Sequence, residues 1–166
     1  MQQTRTKGDQ DSSRAMIPER MIIDVQGQRL DLIENGQITA IYPVSTSSRG
    51  TGTEEGSFKT PTGRFRIHAK IGDGAAPWMS FKGRLPTGEI AQPGGDEDLI
   101  LSRILWLEGL DQENSNTRDR YIYIHGTNQE SLIGTPASHG CIRLLNSDII
   151  ELYGSVEEGD LLTITG

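Results

Sequence analysis

Residues 121–144 read YIYIHGTNQESLIGTPASHGCIRL, and the residue types in this stretch decide how the rest of the chain is interpreted. Tyr121-Ile122-Tyr123-Ile124 alternates at period two, which predicts a strand that ends at His125-Gly126-Thr127. A strand end is a fixed place to mount a base. Downstream, Ser138-His139-Gly140-Cys141 contains the only cysteine of the chain, and two of its three histidines fall in this stretch. A thiol with a pKa near 8.5 is only a few per cent thiolate at pH 7, so a working nucleophile must gain roughly 2 kcal/mol from a neighbouring imidazole. Two imidazoles are available. One glycine separates His139 from Cys141, so in an extended segment both side chains project to one face, while His125 can arrive from a neighbouring strand. The spacing allows Cys141 to be pinched between His125 and His139. Gly140 permits a tight backbone, so the amides of Gly140 and Cys141 can face a developing oxyanion. Arg143, two residues on, offers a planar fork for a substrate carboxylate.

Plainer readings of the same residues stand beside this one. A single cysteine in a β-rich domain also serves as a small buried hydrophobe. Arg143 also suits a structural ion pair. His125, His139 and Cys141 could ligate a metal, although structural zinc sites usually use four ligands and no fourth is evident in the sequence. His68 sits in an alternating segment with no polar cluster around it, and is read as structural.

Outward from the centre, Met21–Val25, Arg29–Ile33 and Gln37–Val44 read as three strands, with Asn35-Gly36 supplying the positive φ of a tight hairpin. A Ser/Thr/Gly-rich loop covers 45–63 and feeds a strand over Arg64–Ile71. Residues 72–98 read as irregular, Leu99–Leu110 as a strand, and 111–120 as a solvated loop. Asn146 or Ser147 can cap a short helix over 147–153, and Gly159–Thr165 supplies a last strand.

The chain has 166 residues, the size of one domain, and its 20 glycines and 7 prolines predict short elements joined by many turns. The net charge of −7, with no basic cluster longer than a pair, argues against a nucleic-acid partner. A single cysteine cannot form an intramolecular disulfide, so the thiol is either in a reducing compartment or kept for chemistry. Residues 1–20 read as a polar flexible tail without the apolar stretch of a signal peptide, and no apolar run is long enough for a membrane span. The expectation is a cytoplasmic protein if this is the natural start, and a periplasmic one if a signal has been removed.

The run Ile124-His125-Gly126-Thr127, followed by Pro136–Leu144, resembles the signature of the L,D-transpeptidase (YkuD) catalytic domain. The segments YPVSTS at 42–47 and Lys59-Thr60-Pro61-Thr62-Gly63-Arg64-Phe65 are similar to the same domain, so the resemblance spans about residues 21–165. It implies a mainly β, sandwich-like catalytic domain over 21–166 with one short helix after the cysteine, and no cofactor. It also implies penicillin-insensitive acyl transfer on peptidoglycan stem peptides, with Cys141 as nucleophile and His125 as its base. The Gly126 carbonyl would orient the His125 ring, and His139 with the Gly140 and Cys141 amides would hold the site and the oxyanion. Ser138 would support the substrate side of the site, and Arg143 would meet a substrate carboxylate. Typical members carry an export signal. This sequence looks like the short, signal-less type, some of which are L,D-carboxypeptidases acting on recycled muropeptides. The expected partners are therefore stem peptides or muropeptides, and carbapenem-type inhibitors. A non-catalytic peptidoglycan-peptide binding module is the competing expectation.

Overall fold

The computed structural model describes residues 17–166. The tail expected over 1–20 therefore lies outside the described residues for 1–16, while Glu19 and Arg20 already belong to the first strand. Ten strands and one helix follow: β1 (Glu19–Asp24), β2 (Arg29–Glu34), β3 (Gln37–Pro43), β4 (Gly63–Ile71), β5 (Met79–Lys82), β6 (Leu85–Ile90), β7 (Ile100–Gly109), β8 (Tyr123–Gly126), β9 (Ile142–Leu144), α1 (Asn146–Ser155) and β10 (Leu161–Thr165). The expected mainly β architecture with one α-helix after Cys141 is what the chain adopts.

One sheet runs β3-β2-β1-β10-β4-β7, then branches: β7 pairs with β8, which pairs with β9, and β7 also pairs with the β5–β6 hairpin. The sheet folds back on itself. Ser45, just past β3, exchanges two backbone hydrogen bonds of 2.9 Å with Arg143 of β9, so the two ends meet. Inside, Met21, Leu30, Phe65, Leu105, Ile124, Ile142 and Leu162 pack with Ile149 and Leu152 of α1 in one fully buried core. Alternation does the sorting. Leu105, Ile124 and Ile142 point into that core, whereas Ile104 and Tyr123 join a second apolar cluster on the opposite face, together with Phe81 and Cys141.

Two expectations need correction. The helix spans Asn146–Ser155 rather than 147–153, and Asn146 is its first residue, not a side-chain cap. Residues 72–98 are not irregular throughout, since they contain the β5–β6 hairpin. Its turn, Gly83-Arg84, has positive φ at both positions (56° and 63°), as a two-residue hairpin of the right twist requires. Pro86 and Gly88 hide β6 in the sequence, yet an edge strand tolerates both because its outer donors need no partner.

Candidate active site

The parallel register of β8 and β9 pairs Ile124 with Ile142 and His125 with Arg143. Cys141, one residue before β9, therefore falls level with Tyr123 and on the same face of the sheet as His125. The thiol is held by the backbone at the start of β8 and just before it: the Tyr123 N–H donates to Sγ at 3.3 Å, and Sγ–H points to the Tyr121 carbonyl at 3.5 Å. Cys141 and His139 together line an open cleft of about 370 Å³, walled by Glu55, Gly56, Phe58, Arg120, Tyr121 and Ile122.

His125 is buried, and its Nδ1 lies 2.6 Å from the Gly126 carbonyl oxygen. A carbonyl can only accept, so Nδ1 carries the proton and Nε2 is left with its lone pair. Burial is the main cause that lowers the His125 pKa from its usual range, opposed by the Gly126 bond and by Asp98, and reinforced by Arg143. The ring is thus neutral at pH 7, the state a general base requires. Gly126 itself must be glycine, because a Cβ there would come within 2.4 Å of Asn146 Oδ1 and 2.8 Å of the Leu101 carbonyl. The same Asn146 side chain donates to the Thr127 carbonyl at 2.7 Å and accepts from Ser102 Oγ at 2.7 Å, fixing the turn that follows His125.

The loop before Cys141 is equally constrained. Gly140 has φ +123°, and a Cβ would press on the Lys59 carbonyl at 3.3 Å. Thr60 Oγ1 donates to the Gly140 carbonyl at 2.9 Å. The Gly140 amide is engaged by Ser138 Oγ at 3.3 Å, so of the two amides expected to face an oxyanion, Cys141 N–H is the less committed. Ser138 is fully buried and donates to the Cys141 carbonyl at 2.6 Å. It supports the loop from inside, and with no exposed surface it does not bind substrate directly, which narrows the substrate-side role expected of it.

His139 does reach the cleft. Its side chain is 68% exposed, edge-on to Phe58 at 6.1 Å, with Nδ1 3.7 Å from Asp98 Oδ2. The pinch between two imidazoles is not the resting arrangement, because the hydrogen bonds of the thiol run to the backbone of Tyr121 and Tyr123. Among the described residues no three His, Cys, Asp or Glu side chains are grouped as a metal site needs, which corrects the alternative built on His125, His139 and Cys141.

Arg143 differs from expectation in position. It is fully buried, with Nη1 3.0 Å from Asp98 Oδ1 and 2.8 Å from Gln129 Oε1, and Nη2 3.1 Å from Ser45 Oγ. Its fork is turned into the protein, so the ion-pair reading prevails over the substrate-carboxylate one. His68 lies outside this cleft, 3.9 Å from Glu108 Oε2 and edge-on to Trp106.

Burial is the leading influence on the thiol and pushes it up to about 11; the Tyr123 amide, Arg120 and Arg143 act against this, and Asp98 with it. The resting pair is therefore neutral thiol and neutral imidazole, rather than a standing thiolate. Alkylation of Cys141 by iodoacetamide is expected to accelerate about tenfold per pH unit from pH 7 to pH 10, because only the thiolate reacts. A rate already level between pH 6 and 9 would show an ion pair instead.

Several residues here escaped the sequence reading, namely Asp98, Arg120 and Phe58 with its positive φ of 59°, and Asn146 was read only as a helix cap. None carries a local signal, since each matters through partners distant in the chain.

A folded-back β-sheet that presents Cys141 and a buried histidine on adjacent parallel strands defines a cysteine-bearing cleft of one recognisable class. The YkuD L,D-transpeptidase catalytic domain matches residues 18–164, and the chain belongs to that family. The L,D-transpeptidase-type protein YkuD of Bacillus licheniformis is 28% identical over 149 residues, covering 90% of this chain and 67% of its own length. Among solved structures, an L,D-transpeptidase from Mycobacterium smegmatis aligns over 88% of this chain and 58% of its own at TM-score 0.55 and 19% identity. The L,D-transpeptidase LdtMt1, solved in complex with imipenem, aligns over 87% and 57% at TM-score 0.54 and 17% identity. The chain thus spans about two thirds of the curated relative and less of the structural neighbours. Among the described residues, no helix is long and apolar enough to cross a membrane.

Proposed function

We propose that the protein cleaves the bond between the L-centre of diaminopimelate and D-Ala in peptidoglycan tetrapeptide stems, through a thioester on Cys141. The observation that carries this reading is the Cys141 thiol in an open cleft, on the same sheet face as a His125 whose Nδ1 is fixed on the Gly126 carbonyl. A rotation of the thiol toward Nε2 lets the imidazole take the proton as sulfur attacks the carbonyl carbon. The Cys141 N–H stabilises the oxyanion, and the imidazolium returns the proton to the departing D-Ala amine. An amine or water then attacks the thioester, and sulfur leaves with the proton that His125 relays. The acceptor is an amine where wall peptides are met in the periplasm, and water where soluble muropeptides are met in the cytoplasm.

Incubation with a disaccharide-tetrapeptide, with and without a D-amino acid, tests the reading and separates the two outcomes. Tripeptide reports hydrolysis and exchanged tetrapeptide reports transfer; the absence of both products overturns the proposal. The complex of LdtMt1 with imipenem supports a companion expectation. Imipenem is expected to leave a covalent adduct on Cys141, detectable by intact-mass measurement, and none on a Cys141→Ala protein.

A further inference from the structure

We propose that Arg120 is the residue that reads a free carboxylate on the acyl donor, a role that rests on the acyl-transfer reading above. The 111–120 loop, expected to be solvated, is instead anchored on the sheet: Asn114 and Thr117 are fully buried, and Asn114 Nδ2 donates to the carbonyls of Thr62 and Arg64 at 3.1 Å each. That anchoring delivers Arg120 to the wall of the thiol cleft, next to Phe58, His139 and Cys141.

The guanidinium is held there by neutral acceptors. It donates to the Lys59 carbonyl at 2.7 Å, the Gly52 carbonyl at 3.2 Å and Ser57 Oγ at 3.4 Å. Among the described residues no carboxylate forms an ion pair with it. Burial lowers its pKa, opposed by the Cys141 thiol and the Glu55 carboxylate, and Glu55 stays beyond ion-pair distance, so the cation is partly withdrawn from water with no direct charged partner. Nη2 makes two of these contacts and Nη1 one, so the Nε N–H and one Nη1 N–H stay uncommitted, and a paired contact with a carboxylate forms once the long Ser57 contact yields. Glu55 and Asp119 also line the cleft, but Asp119 is 81% exposed and faces Arg118 at 3.6 Å, and Glu55 is exposed. Arg120 thus fills the position that the sequence assigns to Arg143, whose own fork is consumed by Asp98, Gln129 and Ser45.

A tetrapeptide donor offers two carboxylates close to the scissile bond: the C-terminal one of the leaving residue, and the one on the side chain of the third residue. Titration of the Cys141→Ala protein with the free tetrapeptide, its C-terminal amide and its third-residue side-chain carboxamide tells them apart, with Arg120→Gln and Arg120→Lys added on the same background. One amide is expected to bind about 10- to 100-fold more weakly than the free peptide, the usual worth of a hydrogen bond to a charged group. That amide identifies the carboxylate. Arg120→Gln is expected to abolish the difference and Arg120→Lys to restore part of it. A purely structural arginine would weaken all three peptides equally. Equal binding of all three to the parent, a difference that survives Arg120→Gln, or no binding at all overturns the inference. Turnover is measured separately on the Cys141 protein: carboxylate-selective binding without turnover strikes the acyl-transfer reading and leaves Arg120 standing.

Discussion

A Cys141→Ala protein is expected to fold as the parent does and to lose tetrapeptide turnover by at least about 10³-fold. The fold is spared because Cys141 is half-buried beside β9, and the change removes one atom from the edge of the Phe81–Ile104–Tyr123 cluster. Activity is lost because no other thiol exists in the chain to form the acyl-enzyme. A His125→Gln protein keeps Cys141 but has no imidazole to take its proton, and general-base catalysis is worth about 10²–10⁴-fold. Since the thiol rests near pKa 11, loss of the base leaves very little thiolate at pH 7. Activity of this variant is therefore expected to climb with pH, where that of the parent levels off once His125 is neutral. Full turnover by Cys141→Ala, measured as tripeptide released, would remove the assignment of the nucleophile.

Arg143→Leu is expected to destabilise the fold by about 3 kcal/mol, because breaking a buried pair strands the charge that remains. Asp98 is the stranded partner; its side chain keeps 22% exposure, which holds the loss to the lower end of the range for such pairs. For a domain of this size the change corresponds to a fall in Tm of roughly 6–12 °C. Adding Asp98→Asn to Arg143→Leu is expected to recover part of the loss, since the unpaired charge is then gone. A contact with substrate predicts the opposite pattern, an unchanged Tm with a raised KM, and thermal unfolding of the single variant decides between them.

The part of the fold legible in the sequence is the part written in periodicity. Ile122 and Ile124 alternate with Tyr123 and His125, so the alternation places the isoleucines in the core and the histidine on the other face, as the structure has it. β7 was less readable, because Leu99–Leu110 is apolar on both faces and shows no clean alternation. Hairpin β5–β6 was not readable, because an exposed edge strand that carries Pro86 and Gly88 has no alternation to display. The helix start was misjudged because Asn146 serves two purposes and its side chain is spent on Thr127, Ser102 and Glu130 rather than on its own helix.

At the site, residue types were legible and their partners were not. The Ser-His-Gly-Cys run announced the thiol, and Gly126 was read as the carbonyl that orients His125, which the 2.6 Å contact matches. Arg143 reads as a substrate contact because its planar fork suits a carboxylate, and nothing near it in the chain announces Asp98, 45 residues away. Arg120 was passed over inside DQENSNTRDR, a composition that usually means solvent. Only the buried Asn114 and Thr117 turn that stretch toward the cleft.

The joining of the sheet ends also bears on how the nucleophile comes into being. Strand β9 is three residues long, with β8 on one edge and, on the other, Ser45, 98 positions earlier in the chain. Contacts of such separation close late when a chain folds. A partly folded molecule therefore presents Cys141 as an ordinary thiol, quick to be alkylated at neutral pH. The native molecule withdraws it to a pKa near 11. The reactivity of one sulfur atom thus serves as a clock for the last stage of assembly.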